Sequence, residues 1–144
     1  MKLSPHFTLD ELTISETADR LGLDNTPTNE ALLNLRRLAL FLEDVRNVLG
    51  KPIKINSAYR SKEVNKSIGG SATSQHCFGC AADIRVNDMT PDQVVRAIIA
   101  AKLPYDQVIR EFDRWTHVSI PNTATAKPRK MALIIDRQGT RPFK

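Results

Sequence analysis

The chain is poor in cysteine: Cys77 and Cys80 are its only two among 144 residues. One pair three positions apart excludes the cysteine framework of a disulfide-stapled secreted fold. At this length a domain buries roughly 68–70% of its unfolded surface and needs no staple. No apolar run approaches the ~18 residues of a membrane span, which argues against stable membrane insertion. The opening stretch MKLSPHFTLDELTISE has no apolar h-region, so no secretory signal is expected. The chain is then made in the cytoplasm and needs another agent to carry it to any site outside. Aromatic residues are also scarce, at five Phe, one Trp and two Tyr, and none is interleaved with a Lys/Arg cluster. Basic residues scattered in this way, with no recognised motif, argue against a nucleic-acid partner. There is no internal repeat and no low-complexity tract.

The charge balance is the positive finding in the composition. A net charge of +5 and a pI near 9.5 suit polyanionic surroundings such as an anionic membrane surface or a cell wall. A hydrophobic share of 41% and a charged share of 26% are those of an ordinary soluble globule, and the length implies one domain over residues 1–144. Thr8 precedes Asp10 and Glu11, an N-cap with acids in the first turn of a short helix. In NEALLNLRRLALFLEDVRNVLG, Leu32, Leu35, Leu38, Leu42, Val45 and Leu49 recur at helical spacing, and Gly50 and Pro52 stop the helix. The chain to residue 50 is therefore a helical scaffold. PIKINSAYR predicts a strand, SKEVNKSIGG a short helix from Ser61, AADIRV a strand, and PDQVVRAIIAAKL a helix opened by Thr90 and Pro91. YDQVIREF and WTHVSI predict a hairpin turning near Asp113 and Arg114, PNTATAKPR a loop, and KMALIID the last strand before Pro142. Helices early and strands late give the α+β class, with a small antiparallel sheet and helices packed on one side.

Chemistry concentrates in SQHCFGCAADIRV, residues 74–86. Cys77 and Cys80 form a Cys-x-x-Cys, which can be redox-active or bind zinc. A redox pair opens a helix after a strand, where the helix N-terminus stabilises a thiolate; this pair precedes a strand. A structural zinc takes four ligands, commonly from two such pairs, and the chain has one. The cysteines are thus read as small side chains near the core. The second option is His76 with Asp83, seven positions on. The other histidines are His6, at an end expected to be unstructured, and His117, in a predicted strand with apolar neighbours. His117 alone reads as a half-buried core histidine. Two imidazoles and one carboxylate would leave a tetrahedral zinc one open position for water, whose pKa falls from 15.7 to about 7. Spacing alone does not select His76, Asp83 and His117.

SQHCFGCAADI resembles the S-x-H-x-x-G-x-A-x-D motif of the zinc D-Ala-D-Ala carboxypeptidase and L-alanyl-D-glutamate endopeptidase family, through Ser74, His76, Gly79, Ala81 and Asp83. NSAYRS, with Arg60 sixteen positions before His76, is similar to the family's upstream arginine segment, and EFDRWTHVSI to its C-terminal metal-binding hairpin. The resemblance covers residues 52 to 120, with three motifs in the family's order. The helical N-terminal half also resembles small phage and prophage members. By this resemblance His76, Asp83 and His117 are the zinc ligands, the zinc lies in a cleft of residues 51–120, and residues 121–144 add a loop and strand. Small Gly79 and Ala81 let the chain bend between ligands, and the cysteines fill unspecified motif positions.

The resemblance implies further roles. Arg60 would grip a substrate carboxylate or carbonyl, or stabilise an oxyanion. The general base is less plain. Many relatives carry an acid three positions before the last ligand, here Arg114; some carry a histidine two before it, here Trp115. Glu111 and Asp113 are the acids nearby. Glu111 is preferred: E-F-x-x-W-x-H-x-S resembles a subgroup that keeps a glutamate six residues before the histidine, and a turn of three or five residues would bring it across from His117, although the register sets its face. Asp113 suits a turn. Trp115 is read as cleft wall or core, and Ser74 and Gln75 as positioning residues. The expected protein is a monomeric zinc peptidase of the peptidoglycan stem peptide, a phage endolysin released to the wall by a holin. The alternatives are a non-catalytic zinc-containing wall-binding or phage tail module, and a redox or nucleic-acid protein built on the cysteine pair.

Overall fold

Every helix begins where a hydroxyl side chain can accept a hydrogen bond from its first turn. In the computed structural model, which describes residues 1–144, Thr8 caps α1 (Leu9–Thr13) and completes a reciprocal box with Glu11. Ser15 caps α2 (Glu16–Leu21), a helix the sequence pattern did not announce. Thr28 caps α3 (Asn29–Leu49), Ser61 caps α4 (Lys62–Ser67) and Thr90 caps α5 (Pro91–Ala100). Gly50 ends α3 in the left-handed conformation. The buried face of α3 contains the expected Leu35, Leu38, Leu42 and Val45, and also Ala31, Asn34, Ala39 and Phe41; Leu32 and Leu49 are only half-buried.

The N-terminus is not unstructured. Strands β1 (Lys2–Ser4) and β2 (Phe7–Thr8) pair antiparallel, and Phe7 is buried in the core. The turn between them is pinned to α3 by one carboxylate. Glu43 accepts from Ser4 Oγ at 2.6 Å and from the His6 backbone N–H at 2.7 Å, and meets His6 Nδ1 at 2.7 Å.

The main sheet has six strands, β3 (Lys54–Ser57), β4 (Ala81–Arg85), β5 (Gln107–Glu111), β6 (Trp115–Ser119), β7 (Met131–Asp136) and β8 (Gly139–Pro142), in the order β3-β4-β6-β5-β7-β8. It is larger than the small sheet expected, and it is mixed, because β5 and β7 run parallel. The reason is the connection after β6. Ser119, at the end of β6, lies opposite Gln107 at the start of β5. The segment 120–130 crosses that same end and delivers Met131 beside Gln107. KMALIID is also not the last strand: the chain turns at Gly139 (φ 98°) and β8 pairs back on β7.

Side-chain alternation divides the sheet's two faces. Ala82, Ile84, Val108 and Val118 join Leu35, Leu38 and Leu42 of α3 and Val94, Val95 and Ile98 of α5 in one core. Asp83, Ile109, Glu111, Trp115 and His117 have the opposite parity and share the other face. The chain enters β4 through a single 3₁₀ turn (Gln75–Phe78) that ends at Gly79, φ 77°. A Cβ on Gly79 would meet the Ala31 carbonyl oxygen at 2.6 Å, whereas one on Gly69 (φ 75°) would meet nothing within 4 Å.

Gly69→Ala is therefore expected to cost about 1–2 kcal/mol, the strain of a left-handed L-residue. Gly79→Ala should cost clearly more, because a backbone carbonyl of α3 cannot yield. Denaturant unfolding of the two variants checks this, and equal losses would contradict the close approach.

Candidate metal centre

The pairing of β4 with β6 sets Asp83 directly opposite His117 on the face away from α3 and α5. His76 arrives from the preceding 3₁₀ turn, whose cap Ser74 accepts from the His76 backbone N–H at 3.3 Å. The His76 ring is oriented by its other side: Nδ1 lies 2.6 Å from the Ala58 carbonyl oxygen. A carbonyl only accepts, so Nδ1 carries the proton and Nε2 is left with a bare lone pair. That Nε2 faces Asp83 Oδ1 at 3.4 Å, and His117 Nδ1 reaches the same oxygen at 3.0 Å. The two rings meet edge to face at 5.1 Å. One ligand atom from each of the three residues lies within 4.8 Å of the others.

This donor set fits zinc. Bonds of 2.0–2.1 Å in tetrahedral array separate neighbouring ligand atoms by about 3.3 Å, close to the 3.0 and 3.4 Å found here. A bare imidazole nitrogen facing a carboxylate oxygen sets two acceptors against each other, an arrangement resolved by a cation between them. The Ala58 carbonyl supplies the outer partner that ligand histidines commonly have. Burial, its largest cause, depresses the His76 pKa and favours the neutral ligand form, against the raising effect of Asp83. Burial alone would raise the Asp83 carboxyl, but the imidazoles of His117 and His76 outweigh it and hold it well below the usual carboxylate range.

A cleft of about 610 Å³ opens over these residues, and Arg60, Glu111, Trp115, Gln75 and Arg129 help to line it. Arg60 is anchored by its backbone N–H to the His76 carbonyl at 3.1 Å, and its Nη2 lies 3.3 Å from Ser74 Oγ. Glu111 pairs with Trp115, while Ile109 lies opposite His117. The three-residue turn thus puts Glu111 on the His117 face but two positions along, not directly across. Burial, and then the Asp83 charge, raise the Glu111 pKa. Asp113 is not brought into this cleft. It sits in the turn, its side chain 64% exposed and paired with Arg110. A larger hollow of about 660 Å³ lies beside Phe112, Asp113 and Arg137, but it lacks the three-ligand cluster. Four buried side-chain polar atoms have no hydrogen-bond partner, and three of them, on Arg60, Gln75 and Trp115, belong to the cleft. Orphaned polar groups concentrated in one place mark it as a site built for something other than stability.

The cysteines have the surroundings of inert thiols. Both are free. Cys80 is buried in the core, and burial pushes its thiol up to about 11; burial also raises Cys77. Neither is a stabilised thiolate. Two features of the site gave no usable sequence signal: the Ala58 carbonyl, because any residue has one, and the ties from Asp106 to Gln75 and Arg129, which join segments 31 and 23 positions apart.

The Peptidase M15 family model matches residues 5–119, a span that includes His76, Asp83 and His117. A similar protein is the zinc D-Ala-D-Ala carboxypeptidase of Streptomyces albus G, 41% identical over 44 residues. That match spans 30% of this chain and 17% of the relative's length. With four-fifths of its length matched by the family model, the chain belongs to the Peptidase M15 family.

Proposed function

We propose that this chain is a zinc metallopeptidase that hydrolyses an amide bond in the peptide stem of bacterial peptidoglycan. The convergence of His76, Asp83 and His117 with Glu111 and Arg60 in one cleft is the observation that carries the reading. His76, Asp83 and His117 would hold the metal, which when bound supplies Lewis acidity to a carbonyl and acidifies water to a pKa of about 7. Glu111 takes a proton from the attacking water and passes it to the leaving amine nitrogen. Its raised pKa suits a group that must both accept and return a proton near neutral pH. Arg60, held beside His76, grips the substrate carbonyl or stabilises the negative charge developing on its oxygen. Residues 1–144 act as one monomeric peptidase domain. The net charge of +5 steers the protein toward an anionic wall. The finer assignment is a phage endolysin released by a holin, supported by the likeness of the helical N-terminal half to small phage members. The bond cut is either that before a terminal D-Ala or that between L-Ala and D-Glu.

Mass spectrometry of fragments released from purified peptidoglycan, with and without a zinc chelator, tests the reading. Chelator-sensitive release is expected: free D-Ala from a carboxypeptidase, separated L-Ala and D-Glu ends from an endopeptidase. No release by folded, zinc-loaded protein would instead favour a wall-binding module. Singly substituted His76→Ala, Asp83→Ala and His117→Ala should each lose bound zinc, by elemental analysis, together with activity; full activity in any one would remove it from the ligand set. Glu111→Gln should lower kcat about 10²–10⁴-fold, the usual worth of general acid–base catalysis, while Asp113→Asn leaves it within about twofold, as for a surface turn. The reverse order would transfer the base to Asp113. The Cys77→Ser, Cys80→Ser double variant should keep its zinc content and its activity, and loss of both would revive the cysteine reading.

A further inference from the structure

Asp106 is a buried carboxylate for which the hydrolytic roles above have no use. Its side chain is 4% exposed, and it lies just before β5. Four donors converge on it. The Arg129 backbone N–H reaches Oδ1 at 3.0 Å, and Arg129 Nε and Nη2 reach Oδ2 at 2.9 and 2.6 Å. Gln75 Nε2 reaches Oδ2 at 3.0 Å, and also lies 3.0 Å from both the Ile120 carbonyl and Asn122 Oδ1. One carboxylate therefore ties together the residue before His76, the start of β5 and the crossing segment 120–130.

The consequence falls on Arg129. Its guanidinium is clamped along the Nε–Nη2 edge, while Nη1 has no partner in the protein. The side chain is 54% exposed and borders the cleft, as Gln75, His76 and Gln107 do. Pairing the buried Asp106 accounts for the clamped edge of the guanidinium, but it leaves the exposed remainder of Arg129 without a structural use. A guanidinium already fixed on one edge, however, binds a second carboxylate without losing further side-chain freedom. Sheet order puts Arg60 on the β3 side of the metal cluster and Arg129 on the side of β5 and β7, so the cleft is flanked by cations. Arg129 lies beyond the residues 5–119 matched to the family. We propose that Arg129, held by Asp106, which Gln75 anchors in turn, binds a free carboxylate of the peptide substrate, so that the protein selects free-acid stems over stems amidated at that position. This rests on the peptidase reading for the identity of the substrate. Asp106 already offsets the charge of Arg129, so the expected gain is about tenfold in affinity, the worth of one charge-assisted hydrogen bond.

The probes are a synthetic stem pentapeptide ending in D-Ala-D-Ala and versions with each carboxylate amidated in turn. Calorimetric binding is measured in zinc-loaded Glu111→Gln protein with and without Arg129→Gln, and cleavage is measured with the unsubstituted protein. Amidation at one position should weaken binding about tenfold. Arg129→Gln should weaken the free acid by the same factor and make acid and amide indistinguishable; because it also strands the buried Asp106 carboxylate, the thermal midpoint should fall, and binding is measured well below the variant's own midpoint. Three results would overturn the proposal: equal binding of acid and amides with Arg129 present, equal weakening of both by Arg129→Gln, or no binding at all. Cleavage without acid preference would sink this inference and leave the peptidase reading standing. Arg129-dependent acid binding with no cleavage by the unsubstituted protein would do the opposite.

Discussion

The site depends on one carboxylate shared by two imidazoles. Asp83 is largely buried, and a buried charge is costly unless it is paired. His117 reaches it at 3.0 Å and the bare Nε2 of His76 faces it at 3.4 Å, so full pairing needs a cation between them, and the two rings meet Asp83 from different directions for different reasons. His117 is its cross-strand partner, so their contact follows from sheet register. His76 comes from a turn that Gly79 allows to lie against the Ala31 carbonyl, so its contact depends on α3 packing beneath. Its ring is fixed by the Ala58 carbonyl, next to the bulge at the end of β3. Helix, turn and sheet therefore all bear on one oxygen atom. The Ala58 carbonyl holds the proton on His76 Nδ1, and burial favours the neutral ring, so Nε2 is presented as a ligand atom.

Much of this was legible in the sequence, and the legible parts share a property: each depends on neighbours along the chain. Thr8, Ser61 and Thr90 announced the starts of three helices, and the leucine row located α3. Resemblance to the S-x-H-x-x-G-x-A-x-D motif pointed to His76 and Asp83, and that motif is readable because its turn, glycine and strand are consecutive. Asp113 went to the turn as its residue type suggests, and Glu111 came to the His117 face. What sequence left open were relations between distant segments. The parallel pairing of β5 with β7 depends on where the segment 120–130 crosses, and no local pattern records that. The N-terminal strands are held by Glu43 on α3, more than thirty positions away, and the unremarkable residues before Phe7 gave no sign of it.

Asp106 joins these two observations. Its side chain binds Arg129, and its backbone carbonyl accepts from Met131 N–H at 2.9 Å. It thus fixes the crossing at the point where β7 begins, and so helps to make the sheet mixed. Through Gln75 the same carboxylate restrains the residue next to His76. The element that sets the topology of the C-terminal strands is therefore mechanically continuous with the first metal-ligand candidate, and Arg129 is carried to the cleft as part of that connection.

The other end of the cleft is set by the β5–β6 turn. Phe112 and Asp113 both have positive φ, 54° and 52°, a conformation that is unfavourable for residues with a Cβ and is a marked outlier for a bulky one such as Phe. Such strain, on the order of 1–3 kcal/mol per residue, persists only where surrounding contacts over-determine it. Here they do: the Phe112 N–H donates to the Ile135 carbonyl at 2.9 Å, the Phe112 ring lies 6.0 Å from that of Trp115, and Asp113 pairs with Arg110. The three-residue turn fixes which face Glu111 occupies. A slip of one residue would send Glu111 through the sheet to the face covered by α5, where Arg110 now meets Asp92 of that helix. Strain at Phe112 and Asp113 is thus the local cost of a register that holds Glu111 on the same face as Asp83 and His117.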